Sequence, residues 1–195
     1  MKSPAVPKRG DPTVYKLVRT AVLLFQARGY HAVGVSEILT KAGVPKGSLY
    51  HHFPDGKEAL AAAAVEWLTR EMVQHFDRAA SKNVSSKKLA EKLFLDTGIW
   101  LRKHKYSQGA LLAVFAQEIT PREELLFPAI QLAYRQVITS FAKALDNTKS
   151  EKNSIALAKT ILASLDGAIA ICRAEQSTSA LKEIMQTILP LANDD

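Results

Sequence analysis

The sequence predicts an all-α chain of about nine helices, a small N-terminal three-helix body followed by a larger helical one. Three observations carry that prediction. Apolar residues recur at spacings of three and four along most of the chain. Valine and isoleucine nowhere alternate with polar residues over any length, so no sheet is expected. Glycine, proline and short polar stretches fall between the periodic segments, where helices have to stop.

The elements follow in order. The opening Met1–Pro12 segment holds three prolines with Lys2, Lys8 and Arg9 and no apolar core, and residues 1–11 read as a flexible basic arm. It is either a tail without a role or an arm that follows a nucleic-acid backbone. A first helix from about Thr13 to Arg28 places Leu17, Val18, Ala21, Leu24 and Phe25 on one side and stops before Gly29. Residues 34–53 then read as two short helices around a glycine turn. Ser36 to Ala42 buries Ile38, Leu39 and Ala42, with Gly34 or Ser36 as its cap. Gly43 supplies the positive φ that often follows a helix end, and Pro45 suits the first turn of the next helix, where its missing N–H costs nothing.

That second short helix gives the chain its chemistry. Leu49 and Phe53, four apart, point inward, and Lys46, Gly47, Ser48, Tyr50, His51 and His52 are left on or near the outer side. The outer set offers a charge, two hydroxyls, ring N–H donors and a glycine that permits close backbone approach, which suits a phosphate-lined groove. Read alone, the same residues also fit an ordinary helical hairpin with surface histidines.

The run Ala42-Gly43-Val44, then Lys46-Gly47-Ser48-Leu49-Tyr50-His51-His52-Phe53, then Lys57-Glu58 and Leu60, resembles the signature of the tetracycline-repressor (TetR) family. The resemblance covers roughly the first third of the chain. Pro45-Lys46-Gly47-Ser48 and the extra glycine in Pro54-Asp55-Gly56-Lys57 are similar to a branch whose relatives control multidrug-efflux genes. One departure is Gly34, which stands where the family often has a capping threonine that touches a phosphate, leaving Ser36 to take that contact. The resemblance implies residues 12–60 as a helix-turn-helix DNA-binding domain and 61–195 as a helical effector-binding and dimerisation domain. Ser36, Val44, Pro45, Lys46, Gly47, Ser48, Tyr50, His51, His52 and Lys57 are then the residues expected at the DNA.

A fourth helix from about Lys57 to Ala80 begins rich in alanine and leucine and continues with large apolar residues. Five further helical patterns cover roughly 86–104, 108–117, 122–145, 152–174 and 177–191; Pro128 means that the third of them either kinks or starts there. Trp67, Met72, Phe76, Phe94, Trp100, Leu101, His104, Phe115, Phe127 and Tyr134 either fill the core or line a pocket. Family resemblance implies a small apolar or amphipathic effector for such a pocket. In the last two helices Ile161, Leu162, Leu165, Ile169, Leu181, Ile184, Met185 and Ile188 serve either the monomer core or a four-helix dimer seam. The resemblance favours the seam, and a dimer would read palindromic double-stranded DNA.

Composition fits this reading. Residues 1–60 hold nine Lys/Arg against four Asp/Glu, a net +5, and the remaining 135 residues carry +2 of the overall +7. The basic excess sits with the reader motif, as polyanion binding requires. No nucleophile with its base, paired carboxylates or phosphate-cradling loop occurs at a recognisable spacing, so no enzyme and no cofactor are expected. His51 and His52 are adjacent and cannot face one metal ion, so no metal is expected. The single Cys172 excludes an internal disulfide and suits a reducing cytoplasm. No export signal or uninterrupted apolar run of membrane-spanning length is read, so no membrane partner is expected.

Overall fold

The computed structural model describes residues 11–145 and 151–192. Of the proposed arm, residues 1–11, residues 1–10 lie outside them, and Asp11 belongs to the fold: its carboxylate takes the N–H groups of Thr13 at 2.8 Å and Val14 at 3.3 Å and so caps the first helix. The helices are α1 (Pro12–Arg28), α2 (Val35–Ala42), α3 (Lys46–His52), α4 (Gly56–Ser81), α5 (Ser86–Lys103), α6 (Leu111–Glu118), α7 (Leu126–Leu145), α8 (Glu151–Glu175) and α9 (Ser179–Ile188). A 3₁₀ turn, Leu189–Ala192, follows. Among the described residues there is no strand. Pro128 lies in the first turn of α7, the second of the two expected alternatives.

The chain forms two compact units that do not follow its linear order: residues 1–71 with 110–134, and residues 72–109 with 135–195. In the first, Leu17, Phe25, Leu49, Leu60 and Phe115 are wholly buried. Phe115 of α6 meets Phe25 of α1 edge-on at 5.3 Å, and Tyr30 lies 6.0 Å from Phe115. α6 is thereby fastened to the three-helix body, a long-range contact with no local signature. Glu58 of α4 fastens the start of α7 similarly, its Oε1 accepting from Leu125 N at 2.7 Å and Leu126 N at 3.1 Å. These are otherwise orphan donors near a helix start.

In the second unit α5, α8 and α9 pack together, and Phe76 stacks on Phe141 at 4.5 Å. Ser140 Oγ donates to Asp77 Oδ1 at 2.8 Å. Cys172 is buried as a small apolar residue. The expectation that no segment has the length and apolar content of a membrane span fails for α8. Its residues Lys152–Glu175 contain a window of mean hydropathy 1.8. Counting uninterrupted runs missed it, because isolated Ser164, Asp166 and Gly167 break the runs without lowering the average much. α8 turns one side to α5 and α9, and about a third of this apolar stretch, 33%, is buried.

Candidate nucleic-acid interface

The reader motif is held by its turn and its buried stripe. Gly43 ends α2 at φ 64° and ψ 40°, the left-handed region that glycine enters without strain. Its N–H donates to the Thr40 carbonyl at 3.2 Å, and the Val44 N–H donates to that of Leu39 at 3.1 Å. Pro45 precedes α3 as its cap, one place earlier than a first-turn position. Leu49 is 0% and Phe53 2% exposed, and both pack inward as their spacing predicts. At the start of α2, Gly34 is the cap and makes no side-chain bond.

This anchoring leaves a continuous outward face. Pro45, Lys46, Gly47, Tyr50 and His51 are exposed, Ser48 is half-buried beside them, and Ser36 is exposed on α2. Tyr50 is 46% exposed, a large aromatic left in water. No neighbour lies within 4 Å of where a Cβ on Gly47 would stand, so the backbone there is open to close approach. Ring N–H, hydroxyl and ammonium groups stand together on one short helix, a set that recognises phosphates and base edges.

Three of the expected residues are placed differently. Val44 is 9% exposed and belongs to the packing of the turn. His52 turns toward the start of α1, its Nε2 3.4 Å from Asp11 Oδ2. Lys57, half-buried, sets its ammonium 4.2 Å from the centroid of the Tyr30 ring, a cation–π contact. Burial pulls the Lys57 ammonium below its ordinary value, and the charge of Glu118 partly restores it. The Tyr30 phenol is pushed up to about 12 by burial and by the charges of Glu58 and Glu123.

Carboxylates hold the ends of α1, α2 and α6 in place. Glu37 of α2 bridges Arg28 at the end of α1 and Lys41 one turn on. The Arg28 hydrogen bond holds the Glu37 carboxyl below its usual range. Glu118, at the end of α6, accepts from the backbone N–H of Tyr30 at 2.8 Å and of His31 at 3.1 Å. Glu123 closes the turn after α6 by taking the Thr120 N–H at 2.8 Å. Glu118 and Glu123 thus both serve as acceptors for backbone N–H groups.

The expected pocket residues divide between the units. Trp67, Phe115, Phe127 and Tyr134 belong to the first, and Met72, Phe76, Phe94, Trp100, Leu101 and His104 to the second. Phe76, Phe94, Leu101 and Phe115 are fully buried core residues, whereas Trp67, Met72, Trp100, His104, Phe127 and Tyr134 keep intermediate exposure. Of the expected seam residues, Ile161, Leu165, Ile169, Leu181 and Ile188 are buried within their own unit, and Leu162, Ile184 and Met185 are half-exposed. Among the described residues no group of three or more His, Cys, Asp or Glu assembles into a metal-binding cluster.

A short helix with its apolar stripe buried and its polar face free, set behind a left-handed glycine turn, defines a helix-turn-helix DNA-binding protein. The chain belongs to the tetR family of bacterial regulatory proteins, whose model matches residues 17–64, and residues 87–187 match the LmrA/YxaF-like transcriptional regulator C-terminal domain. The family consists of transcription regulators and not of enzymes. Over 182 residues the chain is 31% identical to the HTH-type transcriptional regulator YxaF of Bacillus subtilis (strain 168), covering 92% of this chain and 94% of that one. It is 26% identical over 174 residues to the regulator LmrA of the same strain, covering 89% and 93%. In fold it is similar to a TetR transcriptional regulator from Legionella pneumophila, with a TM-score of 0.78, 22% identity, and 93% and 97% of the two chains covered.

Proposed function

We propose that this regulator is a ligand-responsive repressor that binds a palindromic operator as a homodimer in the cytoplasm and leaves it when a small molecule binds. The observation that carries the DNA half is the outward face of α3, with Lys46, Tyr50 and His51 in solvent while Leu49 fixes the helix from beneath. Lys46 contacts phosphate as a point charge, and Ser36 supplies a hydroxyl from α2. Tyr50 and His51 reach the groove. Lys57 contributes the N–H of the first turn of α4 more than its ammonium, which already rests on Tyr30.

The dimer is supported by what α8 leaves uncovered. Ala163, Gly167, Ala170, Ile171 and Ala174 lie on one exposed side, opposite the buried Ile161, Leu165 and Cys172. Small residues let a second helix come close, so the seam uses this side with half-exposed Leu162, Ile184 and Met185 at its margin. Two copies related by a two-fold axis present two α3 helices to two half-sites. α4 and α7 each have residues in both units. A coupling of about 1–3 kcal/mol is typical of such regulation.

The test is the salt dependence of binding to a selected palindrome by fluorescence anisotropy. Lys46→Ala weakens binding across sequences and lowers the slope of log K against log salt by about one, because one phosphate contact is removed. An unchanged slope overturns the phosphate role. Binding untouched by Lys46→Ala and Tyr50→Ala together overturns the recognition surface.

A further inference from the structure

Of the chain's five histidines, two stand side by side in the last turn of α3, His51 exposed and His52 half-buried. Their rings meet edge-on with centroids 4.8 Å apart. Their surroundings differ. α1, which packs on α3, is preceded by Asp11, whose carboxylate lies 3.4 Å from His52 Nε2. That carboxylate is held below its ordinary value by the N–H groups of Thr13 and Val14 and by the charge of His52. A charge on His52 therefore has a counter-charge inside the protein. His51 has none: among the described residues no carboxylate of α1, of α2 or of the turn after α3, Asp55 included, forms an ion pair with it. A charge on His51 faces only His52 and water.

Duplex DNA supplies what the protein withholds. Imidazole is the side chain that changes charge between pH 5 and 8, and neighbouring charges decide which form it takes. The duplex carries one negative charge per about 1.7 Å of its axis, and an opposite charge within about 4–6 Å favours the charged ring. His51 stands on the outward face of α3 with Lys46 and Tyr50, where that row of phosphates arrives. A complex that holds more protons than its separate parts forms more tightly as pH falls.

We infer that His51 makes DNA binding proton-linked: the reader helix takes up a proton from water on His51 as it docks, so operator occupancy rises as pH falls through neutrality and drops as pH rises. His52, whose charge Asp11 already balances, contributes the smaller share. This is a regulation of the DNA face proposed above and rests on that reading for the contact itself.

The experiment measures binding of the full-length protein to a selected palindrome and to a random duplex of equal length by fluorescence anisotropy, at fixed ionic strength, across pH. With two reader helices on the palindrome, affinity is expected to fall about 3- to 30-fold between about pH 6.5 and pH 8. Calorimetry at about pH 7 in buffers of different ionisation heat counts the protons, with about 0.5 to 1.5 expected per palindrome. His51→Gln, neutral throughout, is expected to lose at least half of this uptake and to flatten the pH profile near the wild type's high-pH affinity. His51→Lys, charged throughout, should flatten it as well. His75→Gln, beside Phe76 in the second unit, should leave both readouts unchanged. Circular dichroism melts confirm that each variant is folded. A wild-type change of less than about threefold, no net proton uptake, or full uptake retained by folded His51→Gln overturns the inference. The two readings fail separately. A palindrome bound without proton uptake overturns the proton link and leaves the regulator standing. Random duplex bound as tightly as any selected sequence, with uptake that depends on His51, contradicts the regulator reading and leaves the proton link standing. Binding to neither duplex overturns both.

Discussion

Replacing Gly29 by alanine tests the junction between α1, the turn into α2, and α6. Gly29 ends α1 at φ 79° and ψ −179°, a conformation essentially confined to glycine, so a side chain there costs about 1–3 kcal/mol from the backbone alone. The added Cβ also stands 1.7 Å from the Glu118 carboxylate, which must leave. Its departure strips the acceptor from the part-buried Tyr30 N–H, about 1.5–3 kcal/mol for a hydrogen bond to a charged group, whereas the exposed His31 N–H rehydrates at little cost. Gly29→Ala is therefore expected to destabilise the protein by about 2.5–6 kcal/mol, and Glu118→Ala by about 1.5–3 kcal/mol. In the double variant the carboxylate is already gone and only the backbone strain is added, so the two changes should be less than additive by about 1.5–3 kcal/mol. Urea unfolding of the four proteins in a double-mutant cycle measures this coupling. Additivity within about 0.5 kcal/mol would refute the placement of Glu118 against the turn.

Other outcomes follow from the same geometry. Asp166 of α8 is pushed up to about 6 from 3.8 by burial alone. Its folded form therefore holds the proton more tightly than the unfolded one, and its stabilising share is full below about pH 4 and lost as pH rises through about 6. Asp166→Asn should match wild type near pH 4 and exceed it by up to about 3 kcal/mol at pH 7, read by urea titration at both values; a constant difference contradicts the burial. Leu49→Ala removes a wholly buried side chain beneath the reader face and should cost about 2–5 kcal/mol, measured by thermal melting. Ala163→Glu or Gly167→Glu on the exposed side of α8 should shift the protein from dimer to monomer in sedimentation equilibrium and weaken operator binding. An unchanged mass places the seam elsewhere.

Much of this was readable from spacing. The order and approximate limits of the helices, the left-handed Gly43 and the inward Leu49 and Phe53 all follow from local rules that act within a few residues. Long-range placement was not readable. The Glu118 bond to Tyr30 joins residues 88 apart, and the Glu58 bond to Leu125 joins residues 67 apart. Neither leaves a periodic trace. The Asp11-Pro12 pair did carry a signal for the start of α1, an acidic cap before a first-turn proline, which reading the prolines as an arm obscured. α8 is apolar or small nearly all round, so periodicity could not choose which side faces its own unit. Burial in the fold puts Ile161, Leu165 and Ile169 inside with Ala158 and Ala168, and leaves Ala156, Ala163, Ala170 and Ala174 exposed.

The central claim, sequence-specific recognition by a two-fold pair of α3 helices, is tested most directly by selecting sites for the purified protein from a random duplex library at physiological salt. Recovery of a palindrome whose half-sites lie about one helical turn, or a multiple of it, apart is the predicted result. The regulator should prefer that palindrome to random duplex by about 10³-fold or more. Salt-sensitive binding with no enriched sequence would contradict the account and indicate a sequence-indifferent DNA-packaging protein instead.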